Sequence, residues 1–226
     1  MNLAQLVAGS VRLHGKLHYC EDDTFTFLSK REPHRAWCPD RKTTIGVFRR
    51  NLMGILREGG AAWYMDCGGN GPLNPAVQVD GWYRDEGLMR NFAEMQQIAS
   101  ERLHERDLTP VTEVAVIVSD ASVSYLRQDE AVPDAFVLRQ MLELGALGTS
   151  FDTYRAEDLE FLFRQPWARN YRFLIFLNVL HLAPRERDVI EREVKRDGRA
   201  VLWTYAAGAL TENGISPEAM QSLTGF

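Results

Sequence analysis

Two stretches of this chain admit few folds. VTEVAVIVSD at 111–120 and YRFLIFLNVL at 171–180 are nearly continuous apolar runs without the polar alternation of a half-exposed strand. Such runs belong to parallel strands buried on both faces. The pieces around them alternate. Residues 133–144 place Val137, Met141 and Leu144 at helical spacing, a second strand falls near 149–154, and a short helix falls at 157–163. Pro184 opens a helix at the position where proline is tolerated, and that helix runs to Gly198. RAVLWTYAAGA supplies a last strand, and SPEAMQSLTGF ends the chain on another short helix. Strands and helices in alternation predict an α/β fold, here a doubly wound parallel sheet over 111–226.

The first half follows a related plan. KLHYC at 16–20 reads as a strand running into Glu21, Asp22 and Asp23. After an irregular segment with Pro33 and Pro39, Asp40 caps a helix whose apolar positions are Ile45, Phe48, Leu52 and Ile55. Gly59-Gly60 closes it, AAWYM at 61–65 forms the next strand, and a loop rich in Gly, Pro and Asn leads from Asp66 to Gly81. Trp82 and Tyr83 precede a helix with Leu88, Phe92, Met95 and Ala99 on one face. Strand, loop, helix, twice over, with carboxylates after each strand, is the plan of a (β/α) barrel, whose chemistry sits at the strands' carboxyl ends. A closed barrel takes eight such units and about 250 residues, so two units predict a partial one. Pro110 marks the composition break between a segment at 1–108 and a domain at 111–226.

Both halves together resemble the glycoside hydrolases related to the family 42 β-galactosidases, in which a barrel precedes a flavodoxin-like, trimerisation-type domain. The resemblance rests on GKLHYCEDDTFTF, RRNLMGILREGGAAWYMDCGG and GWYRDEGLMRNFAEM, and then on FLIFLNVLHLAPRERDVIEREVKRDGRAVLWTYAAGAL and the closing LTGF. It implies the last two βα units of a TIM-type barrel followed by a flavodoxin-like domain of the class I glutamine amidotransferase-like type, together a fragment of a longer hydrolase. It also implies cleavage of O-glycosidic bonds with retention. Glu21 matches the nucleophile at the end of the seventh strand, while the acid/base residue belongs to a fourth strand that this chain does not contain. Retaining hydrolysis needs two carboxyl groups about 5 Å apart, so the isolated chain is expected to be inactive. The substrate is expected to be a carbohydrate, and the flavodoxin-like domain is expected to form homo-oligomer contacts. One departure is that Phe25 stands where related proteins commonly carry an arginine after the acidic cluster.

Around Glu21, the substrate-binding candidates are Asp66, Trp63, Trp82 and Asp23. Aromatic rings offer a flat apolar face to a sugar, and carboxylates accept its hydroxyls. The same residues have plainer readings. The acidic cluster is equally a solvated turn, Trp63 a core residue and Trp82 a helix cover. His18 reads as a packed histidine. His181, at the end of the central strand, is better placed for a ligand, since open α/β sheets bind at strand carboxyl ends. The chain as a whole then reads as a non-enzymatic assembly or binding module working through its flavodoxin-like domain.

Composition excludes several classes. A net charge of -5 with dispersed Lys and Arg argues against nucleic acid and against a polybasic membrane patch. No stretch approaches the roughly 20 apolar residues of a membrane helix, and the N-terminus lacks a signal-peptide pattern, so a cytoplasmic location is expected. Cys20, Cys38 and Cys67 form neither a disulfide framework nor a zinc motif. The acidic cluster supplies too few ligands for a hard cation. The loop from Ser119 to Asp129 lacks the glycines of a phosphate cradle. Neither metal nor cofactor is therefore expected.

Overall fold

The computed structural model describes residues 7–29, 37–66, 81–102, 107, 109–127 and 134–226. Its contacts divide the chain into two units, residues 17–108 and residues 109–226, and residues 7–16 go with the second. That segment carries helix α1 (Ala8–Leu13), which the apolar patterning of the N-terminus does not reveal. Among the described residues no helix is long and apolar enough to cross a membrane.

In the unit of residues 17–108, β1 (Tyr19–Asp22) pairs in parallel with β2 (Ala61–Tyr64), and α2 (Arg41–Arg57) and α3 (Glu86–Arg102) cover one face. The first strand starts and ends later than KLHYC suggests, because Glu21 and Asp22 lie within it. The Asp40 carboxylate accepts from Thr43 N at 2.7 Å, which satisfies one of the unpaired N–H groups opening α2. Gly59 closes the helix with φ 69°. At Gly60 a Cβ would stand 2.8 Å from the His18 carbonyl, so only glycine lets the chain turn tightly from α2 into β2. Phe48, Leu52, Leu56 and Met95 form the core, with Ala62, Tyr64, Tyr83, Phe92 and Ala99 packed against them. Arg49 ties α2 to α3 by donating to Asn91 Oδ1 at 2.7 Å.

The second unit is a four-stranded parallel sheet of β3 (Val114–Val118), β4 (Asp152–Arg155), β5 (Phe173–Phe176) and β6 (Ala200–Trp203), in the order β4-β3-β5-β6. The chain therefore moves one way from β3 and then reverses, which is the doubly wound order. Short α4 (Asp120–Val123) follows β3. Alternate residues of β3 serve opposite cores. Val116 and Val118 meet Val137 and Met141, which flank the start of α5 (Gln140–Ala146). Ala115 and Ile117 face Leu159 and Leu162 of α6 (Leu159–Phe163), Val189 at the end of α7 (Pro184–Val189), and Ile190 and Val194 beyond it. The central run at 171–180 supplies only four strand residues; Tyr171 and Arg172 precede them, and residues 177–180 form the loop at the strand's carboxyl end. A small antiparallel hairpin, β7 (Leu210–Thr211) with β8 (Gly214–Ile215), precedes α8 (Pro217–Thr224). Two-residue strands carry no periodicity, so a sequence reading passes over them.

Helix α1 fastens onto β4. A Cβ on Gly9 would lie 2.4 Å from the Thr153 carbonyl, so the helix backbone touches the strand. Ser10 Oγ accepts from Arg155 N at 2.9 Å, and His14 Nε2 meets Asp158 Oδ1 at 2.9 Å. Burial drives the Asp158 carboxyl up, but bonds from Arg155, His14 and Ser10 outweigh it and hold the pKa below the usual carboxylate range. A carboxyl depressed in the folded state contributes stability that is present in full above its unfolded pKa of about 3.9 and vanishes as pH falls through the lower folded value. A plot of melting temperature against pH is accordingly expected to fall below pH ~4, and Asp158→Asn is expected to flatten that limb. An unchanged acid limb in the variant would remove Asp158 from the account.

Candidate functional site

The strand ends of the first unit position most of the sequence-derived candidates. Alternation along β1 buries Cys20 and Asp22 and exposes Tyr19 and Glu21. In the parallel register Glu21 stands beside Trp63, and Asp22 beside Tyr64. Tyr64 packs on Phe48 and Phe92 of the helices. Glu21 and Trp63 therefore share the face turned away from α2 and α3, and Trp63 is 37% exposed there. Asp23 follows, exposed, just past the strand.

Beneath them lies a polar cluster that the sequence does not single out. Asp22, 4% exposed, accepts from Thr24 N at 3.1 Å, Thr24 Oγ1 at 2.5 Å and Asn51 Nδ2 at 2.9 Å. The buried carboxylate thus ties the strand end to α2. Its negative charge adds to burial, the larger cause, in pushing the Tyr64 hydroxyl well above the usual tyrosine range. The same two causes raise the Cys20 thiol, which keeps it protonated and unreactive. The available signal was strand parity: of three consecutive carboxylates, the one in register with the buried side of the strand needs partners of its own.

Asp66, past the end of β2, takes Trp82 N at 2.9 Å on its Oδ1. Tyr83 donates from its hydroxyl to Met65 O at 2.6 Å. The Trp82 ring is 5% exposed and lies 4.4 Å from Phe25, centroid to centroid, and its carbonyl accepts from Thr26 Oγ1 at 2.5 Å. Phe25 thus fills an apolar contact with Trp82. The structure brings Glu21 together with Trp63, and Asp66 together with Trp82. The loop predicted between Asp66 and Gly81 falls at 67–80, outside the described residues, as does Cys67. Among the described residues no group of three His, Cys, Asp or Glu side chains comes together as a metal site.

No family model matches the chain, and no curated protein matches it. Among solved structures it is similar to the β-galactosidase of the psychrophilic Marinomonas ef1, with a TM-score of 0.50 and 14% identity, over 85% of this chain and 30% of that one. A β-galactosidase of Bifidobacterium adolescentis also matches, with a TM-score of 0.36 and 17% identity, over 51% of this chain and 54% of that one. The chain thus spans about a third of the length of the first of these enzymes. At such identity the likeness is one of fold alone: a mixed α/β protein with parallel sheets.

Proposed function

We propose that the chain is part of a retaining, β-galactosidase-like glycoside hydrolase, in which β1 and β2 are the last two strands of a (β/α) barrel and Glu21 is the nucleophile. The observation that carries this reading is the register. Glu21 and Trp63 stand side by side at the strands' carboxyl ends, on the face opposite the helices. In a barrel that face is the interior, and the carboxyl ends hold the chemistry. The Marinomonas likeness supports the fold on which the reading depends.

In this reading the Glu21 carboxylate attacks the anomeric carbon as the glycosidic C–O bond breaks, giving a glycosyl ester that water then hydrolyses. Trp63 offers its ring to the apolar face of the sugar, and Asp66 and Asp23 accept its hydroxyls. Trp82 holds the rim through Phe25 and Asp66. The general acid comes from a strand outside these 226 residues, and the doubly wound unit serves homo-oligomer contacts.

A 2-fluoro galactoside with a dinitrophenolate leaving group tests this. That group departs without a proton donor, and the fluorine slows hydrolysis of the ester. After incubation with the whole protein, peptide mass mapping is expected to find the sugar on the peptide containing Glu21, and Glu21→Gln is expected to abolish labelling. A label on another carboxylate, or none, overturns the nucleophile assignment.

A further inference from the structure

The carboxyl edge of the four-stranded sheet holds a second cluster, remote in sequence from Glu21 and unused by that chemistry. The chain reverses direction between β3 and β5, and open α/β sheets bind ligands at that switch point. Asn178 fixes the two strand ends by accepting from Ser119 N at 2.7 Å and donating to Ser119 O at 3.0 Å. Ser122 Oγ accepts from His181 N at 3.0 Å and lies 3.1 Å from His181 O. Glu157 Oε1 accepts from Ala121 N at 3.1 Å.

Two atoms remain. Among the described residues, Glu157 Oε2 and His181 Nδ1 are shut off from solvent without a hydrogen-bond partner. Folded proteins seldom leave such atoms unpaired, so each calls for an explanation. The Tyr125 ring lies over the His181 imidazole, with centroids 5.3 Å apart and planes at 24°, and is itself 56% exposed.

The surrounding charges define what fits. Arg155 is committed to Asp120 and Asp158, and Arg187 to the carbonyls of Leu182, Gly208 and Ala219. Neither guanidinium neutralises Glu157. Burial first, and then the charge of Glu157, push the Glu186 carboxyl up against a bond from Ala183 N, the largest opposing cause, so a second carboxyl shares this field. An anion would meet repulsion, and the described residues offer no three-ligand metal site.

We propose that Glu157, His181 and Tyr125 form a binding site for a small organic ammonium compound, which donates to the Glu157 carboxylate and the imidazole and rests against the tyrosine ring. With the ring proton on Nε2, His181 Nδ1 is an acceptor, and a cation beside an aromatic face and a carboxylate then serves Nδ1 and Glu157 Oε2 together. Tyr125, exposed at the surface, is the side chain that turns aside to admit it.

The test is a titration of the full 226-residue chain with methylammonium chloride, against sodium chloride at equal ionic strength, followed by amide NMR shifts. Saturable shifts confined to residues 119–125, 157 and 178–182 are expected with methylammonium alone. Glu157→Gln is expected to weaken binding about tenfold or more, with the dispersed spectrum of a folded protein retained. Tyr125→Leu serves as a second variant, should Glu157→Gln fail to fold, and is expected to weaken binding as well. Shifts that do not saturate, that sodium reproduces, or that survive both substitutions overturn the site. The outcome is independent of sugar labelling at Glu21.

Discussion

Replacing Asp152 by alanine is expected to destabilise the doubly wound unit by about 3 kcal/mol or more, because breaking a buried ion pair leaves its partner charged and unmatched. Asp152 is 4% exposed. Its Oδ1 accepts from Arg12 Nη2 at 3.1 Å, and its Oδ2 from the Tyr171 hydroxyl at 2.7 Å, which in turn lies 2.8 Å from the Tyr154 hydroxyl. Burial, helped by the Asp152 charge, pushes Tyr154 up to about 12, so the hydroxyls stay protonated donors across the physiological range. With the carboxylate gone, Arg12 loses its ion-pair partner on β4, and the attachment of α1 is expected to loosen. Two measurements check this: the calorimetric melting of the unit, and tryptic cleavage after Arg12, which should turn from slow to fast. The paired change Arg12→Met with Asp152→Leu is expected to recover much of the loss, since an apolar pair of similar volume leaves no unmatched charge. Equal melting temperatures for Asp152→Ala and the wild type would show that the network contributes nothing to stability.

Phe48→Ala is expected to cost the first unit about 3–5 kcal/mol, the usual loss for deleting a fully buried aromatic side chain. Phe48 is 0% exposed. Its ring lies 5.5 Å from Tyr64, 5.8 Å from Tyr83 and 5.1 Å from Phe92, and thereby joins α2, β2, the segment after Gly81 and α3. The loss would reach the candidate site, because Tyr83 holds the Met65 carbonyl beside Asp66. Denaturant unfolding measures the effect. Met53→Ala on the same helix, at a position 57% exposed, is expected to stay within about 0.5 kcal/mol. If the two variants unfold together, the aromatic cluster is not the core of this unit.

The likeness to a β-galactosidase concerns fold, so the chemistry rests on where side chains stand. Glu21 was legible as a strand-end carboxylate, and β1 places it on the open face beside Trp63. Asp22 was legible only as its neighbour. That it is the buried carboxylate follows from strand parity together with Asn51, 29 residues away on α2, and no local pattern reports a partner at that distance. Likewise His181 was legible as a polar group at a strand end, but its unpaired Nδ1 and the Tyr125 ring above it depend on segments that meet only in the fold.

By itself the sequence determined the coarse class, α/β with parallel strands. The apolar runs of β3 and β5 can be satisfied only between two helical layers, and the Asp40 cap with the periodic positions of α2 defines that helix from local forces. Tertiary structure alone decided that α1 belongs to the sheet of residues 109–226. Its six residues are too few to be stable or recognisable alone. What holds it is a glycine that lets it touch β4 and an arginine whose carboxylate partner lies 140 residues further along the chain.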